Sequence, residues 1–154
     1  MILRDATESD VPGIAEVLRG IAEIKSIAGC PVEQICDRVA TALGEAAAAK
    51  ASTILVAVME GGTIAGYCAV HWVPFLFFTG PEAYISELFV RQGNRSAGVG
   101  TALLDEVKRR AIGRGCTRLS LLNGRDGEAY RRRFYAKRNW LERDRMANFI
   151  LPIG

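Results

Sequence analysis

The sequence predicts an α/β (α+β) domain with a mixed, mostly antiparallel sheet of about six strands flanked by about four helices. Three observations predict it. Apolar runs of strand length alternate with runs of helical period. A glycine turn, Glu60-Gly61-Gly62, joins two strand-like runs as a hairpin. A strand-turn-helix-strand succession follows it, which needs a parallel crossover.

Taken in order, Ile2–Arg4 reads as a short first strand. Thr7 to Asp10 offers helix caps, with Pro12 in the first turn. Ile14, Val17, Leu18, Ile21 and Ile24 keep helical spacing, and Gly29 ends that helix. Pro31 opens a second helix, with Ile35, Val39 and Leu43 on one face and alanines at its end. Thr53–Met59 and Thr63–Trp72 are the hairpin strands. In the second, Ile64, Cys68, Val70 and Trp72 share one face, and Tyr67 and His71 the other. The loop Pro74–Pro81 is rich in aromatics and reads as either a core plug or a lid. Tyr84–Val90 is a strand, Gly98–Ile112 a helix, Cys116–Leu122 a strand, Glu128–Arg138 a helix and Met146–Leu151 a last strand. No repeat, linker or low-complexity tract divides the chain, so residues 1–154 are expected to form a single domain.

Composition narrows the function. An apolar fraction of 49% and a net charge of +3 suit a globular protein and do not by themselves imply nucleic acid. No apolar run reaches the roughly 18–20 residues of a membrane span, and the start lacks a signal-peptide layout. A cytoplasmic location is therefore expected. Cys30, Cys36, Cys68 and Cys116 form no Cys-x-x-Cys, and His71 is the only histidine, so no metal site is expected. Arg131-Arg132-Arg133 would fan around a helix instead of forming one stripe, so they read as a solvated face.

The most informative stretch runs from Val90 to Thr101. It follows an apolar strand and opens a helix, so free N–H groups and the helix dipole meet an anion there. Gly98 and Gly100 let a ligand approach the backbone, and Arg95 adds a fork suited to phosphate. No Gly-Lys-Ser/Thr follows, and the three-glycine dinucleotide pattern is missing.

Arg95-x-x-Gly98-x-Gly100 in this setting resembles the acyl-CoA pyrophosphate loop of the GNAT superfamily of N-acetyltransferases. Asn123, followed by a helix carrying Phe134-Tyr135 and ending Asn139-Trp140, resembles the family's late pattern, with Asn-Trp in place of Gly-Phe. The element order also matches, so the resemblance covers nearly the whole chain. It implies the GNAT fold, acetyl-CoA (coenzyme A) as the acyl donor, and direct attack of an amine on the thioester. It implies that backbone groups of Leu88, Phe89 and Val90 bind pantetheine. The N–H groups of Ser96, Ala97, Gly98, Val99, Gly100 and Thr101 take the pyrophosphate, Asn123 bonds the pantetheine amide, and Tyr135 protonates the thiolate. Dimers are common among relatives, so a homodimer is compatible with it.

The base stays open. An amine of pKa about 10.4 is neutral only about once in a thousand near pH 7, so a group must take its proton. Glu87, Glu82 and His71 lie nearby in sequence or on the partner strand. Alternation puts Glu87 with Ile85 and Phe89, and Tyr84, Ser86 and Leu88 opposite. Ser86 stands where many relatives carry a carboxylate. Glu87, His71 or a water wire then remain, and Glu87 is the first choice. His71, Phe75, Phe77, Phe78 and Tyr84 would wall a pocket for a small-molecule amine. An open groove would instead suit a protein N-terminus or lysine, and binding without turnover would mark an acyl-CoA sensor.

Overall fold

A computed structural model describes residues 1–21 and 24–153. The described chain divides into two compact units, Met1–Leu121 and Leu122–Gly154. The first unit holds a five-stranded sheet ordered β1-β2-β3-β4-β5. Its strands are β1 (Ile2–Asp5), β2 (Ser52–Val58), β3 (Ile64–Val73), β4 (Glu82–Val90) and β5 (Arg118–Leu121). All neighbours are antiparallel except β4 and β5, which run parallel. The crossover between those two is α3 (Val99–Gly113), as a parallel pair requires. This is the mixed α/β architecture expected, with one strand fewer.

Helices α1 (Val11–Arg19) and α2 (Val32–Ala49) bury one stripe each. Ile14, Ala15 and Val17 of α1 and Ile35, Val39 and Leu43 of α2 close over Val56, Ile64 and Tyr67 of the sheet. Gly13 is required at this contact, because a Cβ there would lie 2.5 Å from the Ile64 side chain. Helix α3 buries Val99, Leu103, Leu104, Val107 and Ala111, and Val99 lies against Gly66, on the sheet face that alternation gives to Cys68 and Val70. Ahead of α1, Thr7 and Asp10 form a capping box, and Arg4 donates twice to the Asp10 carboxylate at 2.6 and 2.8 Å.

Several boundaries differ from the sequence expectation. The first helix stops at Arg19, and the Gly20 N–H caps the carbonyls of Glu16 and Val17. Ile24–Gly29 forms turns instead of helix; Ala22 and Glu23, also inside the expected helix, lie outside the described residues. Strand β4 begins earlier, at Glu82, and β5 spans only four residues.

Two β-bulges correct the faces read from alternation. A bulge between Ala57 and Val58 pairs Val58 with Ile64, so Ala65 is the extra residue. Ile64 therefore joins Tyr67 in the α1–α2 core and not Cys68. A second irregularity pairs Ala69 with Glu87 and Val70 with Ile85, leaving Ser86 as the extra residue. Glu87 then shares a face with Tyr84 and Phe89, while Ile85 and Leu88 point to the other.

In the second unit the expected helix is broken. Helix α4 covers only Glu128–Arg131, and a 3-10 turn covers Ala136–Arg138. Between them Arg133 adopts φ 54°, which ends a right-handed helix. Met146–Leu151 forms no strand. A strand needs a neighbour for its backbone groups, and this segment is exposed, Phe149 by 91%.

Candidate active site: the open half of β4 and the start of α3

Strand β4 has two unlike halves. Glu82–Ile85 lies between β3 and β5. From Ser86 to Val90 the register continues only with β3, and no β5 partner is recorded among the described residues. Parity beyond the bulge leaves alternate N–H and C=O groups directed to the side that β5 has vacated. Gly66 lets β3 and β4 pass closely here, since a Cβ on it would meet the Phe89 carbonyl at 2.6 Å.

The chain then turns sharply. Arg91 staples the corner: its backbone N–H donates to Ala65 O at 2.8 Å, its Nε to Ile64 O at 3.1 Å, and its Nη2 to Glu16 of α1 at 2.8 Å. A 3-10 turn, Gln92–Asn94, leads to Arg95 with extended backbone. Ser96 (φ 67°) and Gly98 (φ 80°) are both left-handed. Gly98 caps α3, and a Cβ added to it would meet nothing within 4 Å. Ala102 bonds back to Gly98 O at 2.9 Å. The opening N–H groups of a helix, here those of Val99 and Gly100, lie ahead of its i→i−4 ladder. Two left-handed residues, Ser96 and Gly98, lead directly into a helix N-terminus, a backbone setting whose dipole favours an anion such as phosphate. Open space at Gly98 fits such a group.

The α1–α2 face of β3 and β4 carries a polar row. His71 pairs with Tyr84 in register, their rings 6.3 Å apart. His71 Nε2 and Ser86 Oγ lie 2.8 Å apart. One step along, the Tyr67 hydroxyl donates to Glu87 Oε2. Tyr67 is only 2% exposed and packs on Phe89 at 5.9 Å. Burial, and then the Glu87 charge, push the Tyr67 phenol far above its usual range. The same two causes push the Cys68 thiol up to about 12.

A family model described as "Acetyltransferase (GNAT) family" matches residues 22–140. The chain belongs to the GNAT acetyltransferase family. Solved structures agree on the fold. A transcriptional regulator from Bacillus halodurans is 21% identical, with a TM-score of 0.83 and 99% of each chain covered. A putative acetyltransferase from Agrobacterium tumefaciens is 23% identical, with a TM-score of 0.78 over 99% of this chain and 100% of that one. A ribosomal-protein-alanine N-acetyltransferase from Brucella melitensis is 19% identical, with a TM-score of 0.77 over 99% and 100%. No curated protein matches.

Within this GNAT unit the expected residues fall into three groups. Leu88, Phe89 and Val90 occupy the open half of β4, and Arg95–Thr101 the turn and the first residues of α3. Glu87, His71 and Tyr84 share the polar face. Phe75 and Phe77 lie in the loop between β3 and β4. With Phe78 they form a cluster with centroids 4.5–5.3 Å apart. It sits in the β3–β4 loop, at the opposite end of β4 from the glycine turn, where the Arg118 guanidinium lies 4.4 Å from the Phe78 ring centroid. Arg118 also pairs with the buried Glu82, which accepts from Ser120 as well. Glu82 is thereby committed to holding β4 and β5 together.

The second unit carries the two other expected residues. Tyr135 is half-buried, edge-on to Phe134 at 5.0 Å and to Trp140 at 5.7 Å. Asn123 is half-buried just after the first unit's last strand. Arg131 donates to Asp126 O and Arg132 pairs with Glu128 at 3.0 Å, so these arginines serve local structure.

Sequence reading missed the Tyr67 contact with Glu87 and the Ser86 contact with His71. A bulge hides both. A polar residue inside an apolar strand, Ser86 between Ile85 and Glu87, is the only signal the sequence offers for it.

Proposed function

We propose that the protein is an acetyl-CoA-dependent N-acetyltransferase acting on a primary amine of a small molecule. The observation that carries this reading is the continuity of an unflanked β4 half, Ser86–Val90, with the left-handed Gly98 cap of α3. A pantetheine arm fits the first as a pseudo-strand, and a pyrophosphate fits the second. Acetyl-CoA would supply the activated thioester, and the chain would supply orientation and proton transfer.

In this reading, Leu88–Val90 backbone groups align the donor, and an N–H near the Ser86 bulge polarises the carbonyl. Ser96–Thr101 amides and Arg95 hold the phosphates. Glu87 takes the proton of the attacking amine, directly or through one water. Tyr135, carried over from the family pattern with Asn123, gives its proton to the departing sulfur. His71 and Tyr84 flank the acceptor. The hydrogen-bonded His71–Ser86 pair is the second reading for the base, favoured by its 2.8 Å contact. The family match, residues 22–140, includes residues of both units. No described helix is long and apolar enough to cross a membrane; a cytoplasmic site of action suits the reduced cysteines.

Thiol release from acetyl-CoA over a panel of small amines and peptides tests the reading. Turnover on small amines supports it. Turnover only on peptides moves the acceptor to a protein, and tight CoA binding without any turnover makes the protein a sensor.

A further inference from the structure

We propose that Tyr67 is a positioning residue for Glu87, clamping one carboxylate oxygen so that the other faces the acceptor. This rests on the reading of Glu87 as the proton acceptor. The bulge at Ser86 makes the contact. Carried on from the His71–Tyr84 and Val70–Ile85 pairs without an extra residue, the register would set Glu87 opposite Cys68; with Ser86 inserted, Glu87 falls opposite Ala69, on the face of Tyr67. Tyr67 lies directly opposite Phe89 and packs on its ring. Its hydroxyl reaches diagonally across the ladder to Oε2 of Glu87. The ring is held in the α1–α2 core beside Ile14, Ile35 and Val56. A buried ring with few rotamers is a rigid donor.

The direction of donation is fixed. The phenol stays protonated across the working range, because burial and the neighbouring carboxylate both disfavour its anion. Glu87 must therefore be the acceptor, and Oε2 is engaged. Oε1 is the oxygen left to receive a proton. In the transfer step, the amine N–H bond breaks and its proton passes to Oε1. The nitrogen lone pair forms the bond to the carbonyl carbon as the carbon–sulfur bond breaks. A neutral donor suits this task. It orients the carboxylate through a single hydrogen bond to one oxygen, whereas a guanidinium fork can engage both oxygens at once. The same strand shows that alternative, since Glu82 is paired with Arg118.

The test compares Tyr67→Phe, Glu87→Gln and the native protein. Tyr67→Phe keeps the ring and its packing. With acetyl-CoA and the amine panel, Tyr67→Phe is expected to lower kcat by about tenfold to a hundredfold, with KM for acetyl-CoA within about twofold, since small misplacements of a reacting group cost this much. Glu87→Gln should lower kcat at least as far. Proton NMR of the native protein should show one slowly exchanging, strongly downfield tyrosine hydroxyl. It should disappear in Tyr67→Phe and move upfield in Glu87→Gln. Native kcat in Tyr67→Phe beside a low kcat in Glu87→Gln overturns this inference alone. Native kcat in Glu87→Gln overturns the reading of Glu87 as base, and the inference with it. If Tyr67→Phe fails to fold or no amine turns over, the native spectrum decides. Absence of a hydroxyl resonance sensitive to Glu87→Gln overturns the clamp.

Discussion

The two halves of β4 carry one glutamate each and use them differently. Glu82 sits between β3 and β5, 6% exposed, held by Arg118 and Ser120. Glu87 lies past the bulge, half-buried, with its ladder partner in β3 among the described residues, and is held by a neutral phenol. A carboxylate buried inside the ladder has to be paired with a cation, because an isolated charge there is costly. Glu87, beyond the point where the strands part, accepts from a neutral hydroxyl where Glu82 meets a cation. In the proposed reading, the parting of β4 from β5 makes room for the donor, and the bulge sets which face Glu87 takes.

The largest effect should come from the end of the open half. Gly98→Glu is expected to abolish coenzyme A binding, at least a hundredfold in Kd by calorimetry. It sets a carboxylate where the phosphates go and strains a position at φ 80°. Unchanged affinity would remove the phosphate assignment. Next, the paired variants Glu82→Gln and Glu87→Gln separate the two halves. Glu87→Gln should cost roughly 10²- to 10⁴-fold in kcat with little change in Tm. Glu82→Gln should lower stability by about 1–3 kcal/mol, since it unpairs Arg118, and leave kcat within a few-fold. A reversed pattern breaks the comparison. Tyr135→Phe should lower kcat about tenfold or more while coenzyme A affinity stays near native; an equal loss in both would make it a binding residue.

The smallest effect concerns another ion-paired carboxylate, Asp10, by which the rule drawn from Glu82 can be checked. Hydrogen bonds from Arg4, with those from Thr7, hold the Asp10 carboxyl down at about 2. Its folded value lies below its unfolded value near 3.9. The stabilisation is therefore fully present above about pH 4 and is lost as pH falls through about 2, amounting to about 2 kcal/mol. Asp10→Asn should lower Tm at pH 6 and flatten the acid limb of stability. A limb identical to native would mean that the pair contributes nothing. Glu106, held down at about 2 by Arg109 and Arg110, forms part of the remaining acid limb in that variant.

Much of the first unit could be read in the chain. Helices α2 and α3 were marked by apolar stripes that the core then used, such as Ile35, Val39 and Leu43. The hairpin at Gly61 and Gly62 was marked by glycines that adopt φ 86° and 84°. The glycine turn before α3 was legible because only glycine takes the left-handed cap without strain. The second unit was less legible. Its expected helix from Glu128 to Arg138 breaks at Arg133, although arginine is a good helix former. Its expected strand at Met146–Leu151 has β-type residues and no ladder. Propensity is a weak prior when packing does not second it.

The sequence by itself determined the family, the helix stripes, and the place where strand, glycine turn and helix would meet an anion. These depend on local spacing, on backbone freedom at glycine, and on residues close in the chain. Only the tertiary structure decided that Ser86 is the inserted residue, that Glu87 therefore turns to Tyr67, and that Glu82 is spent on Arg118. Register between strands twenty residues apart is a non-local property. One extra residue inverts every side chain beyond it, and no periodicity within a single strand records that event.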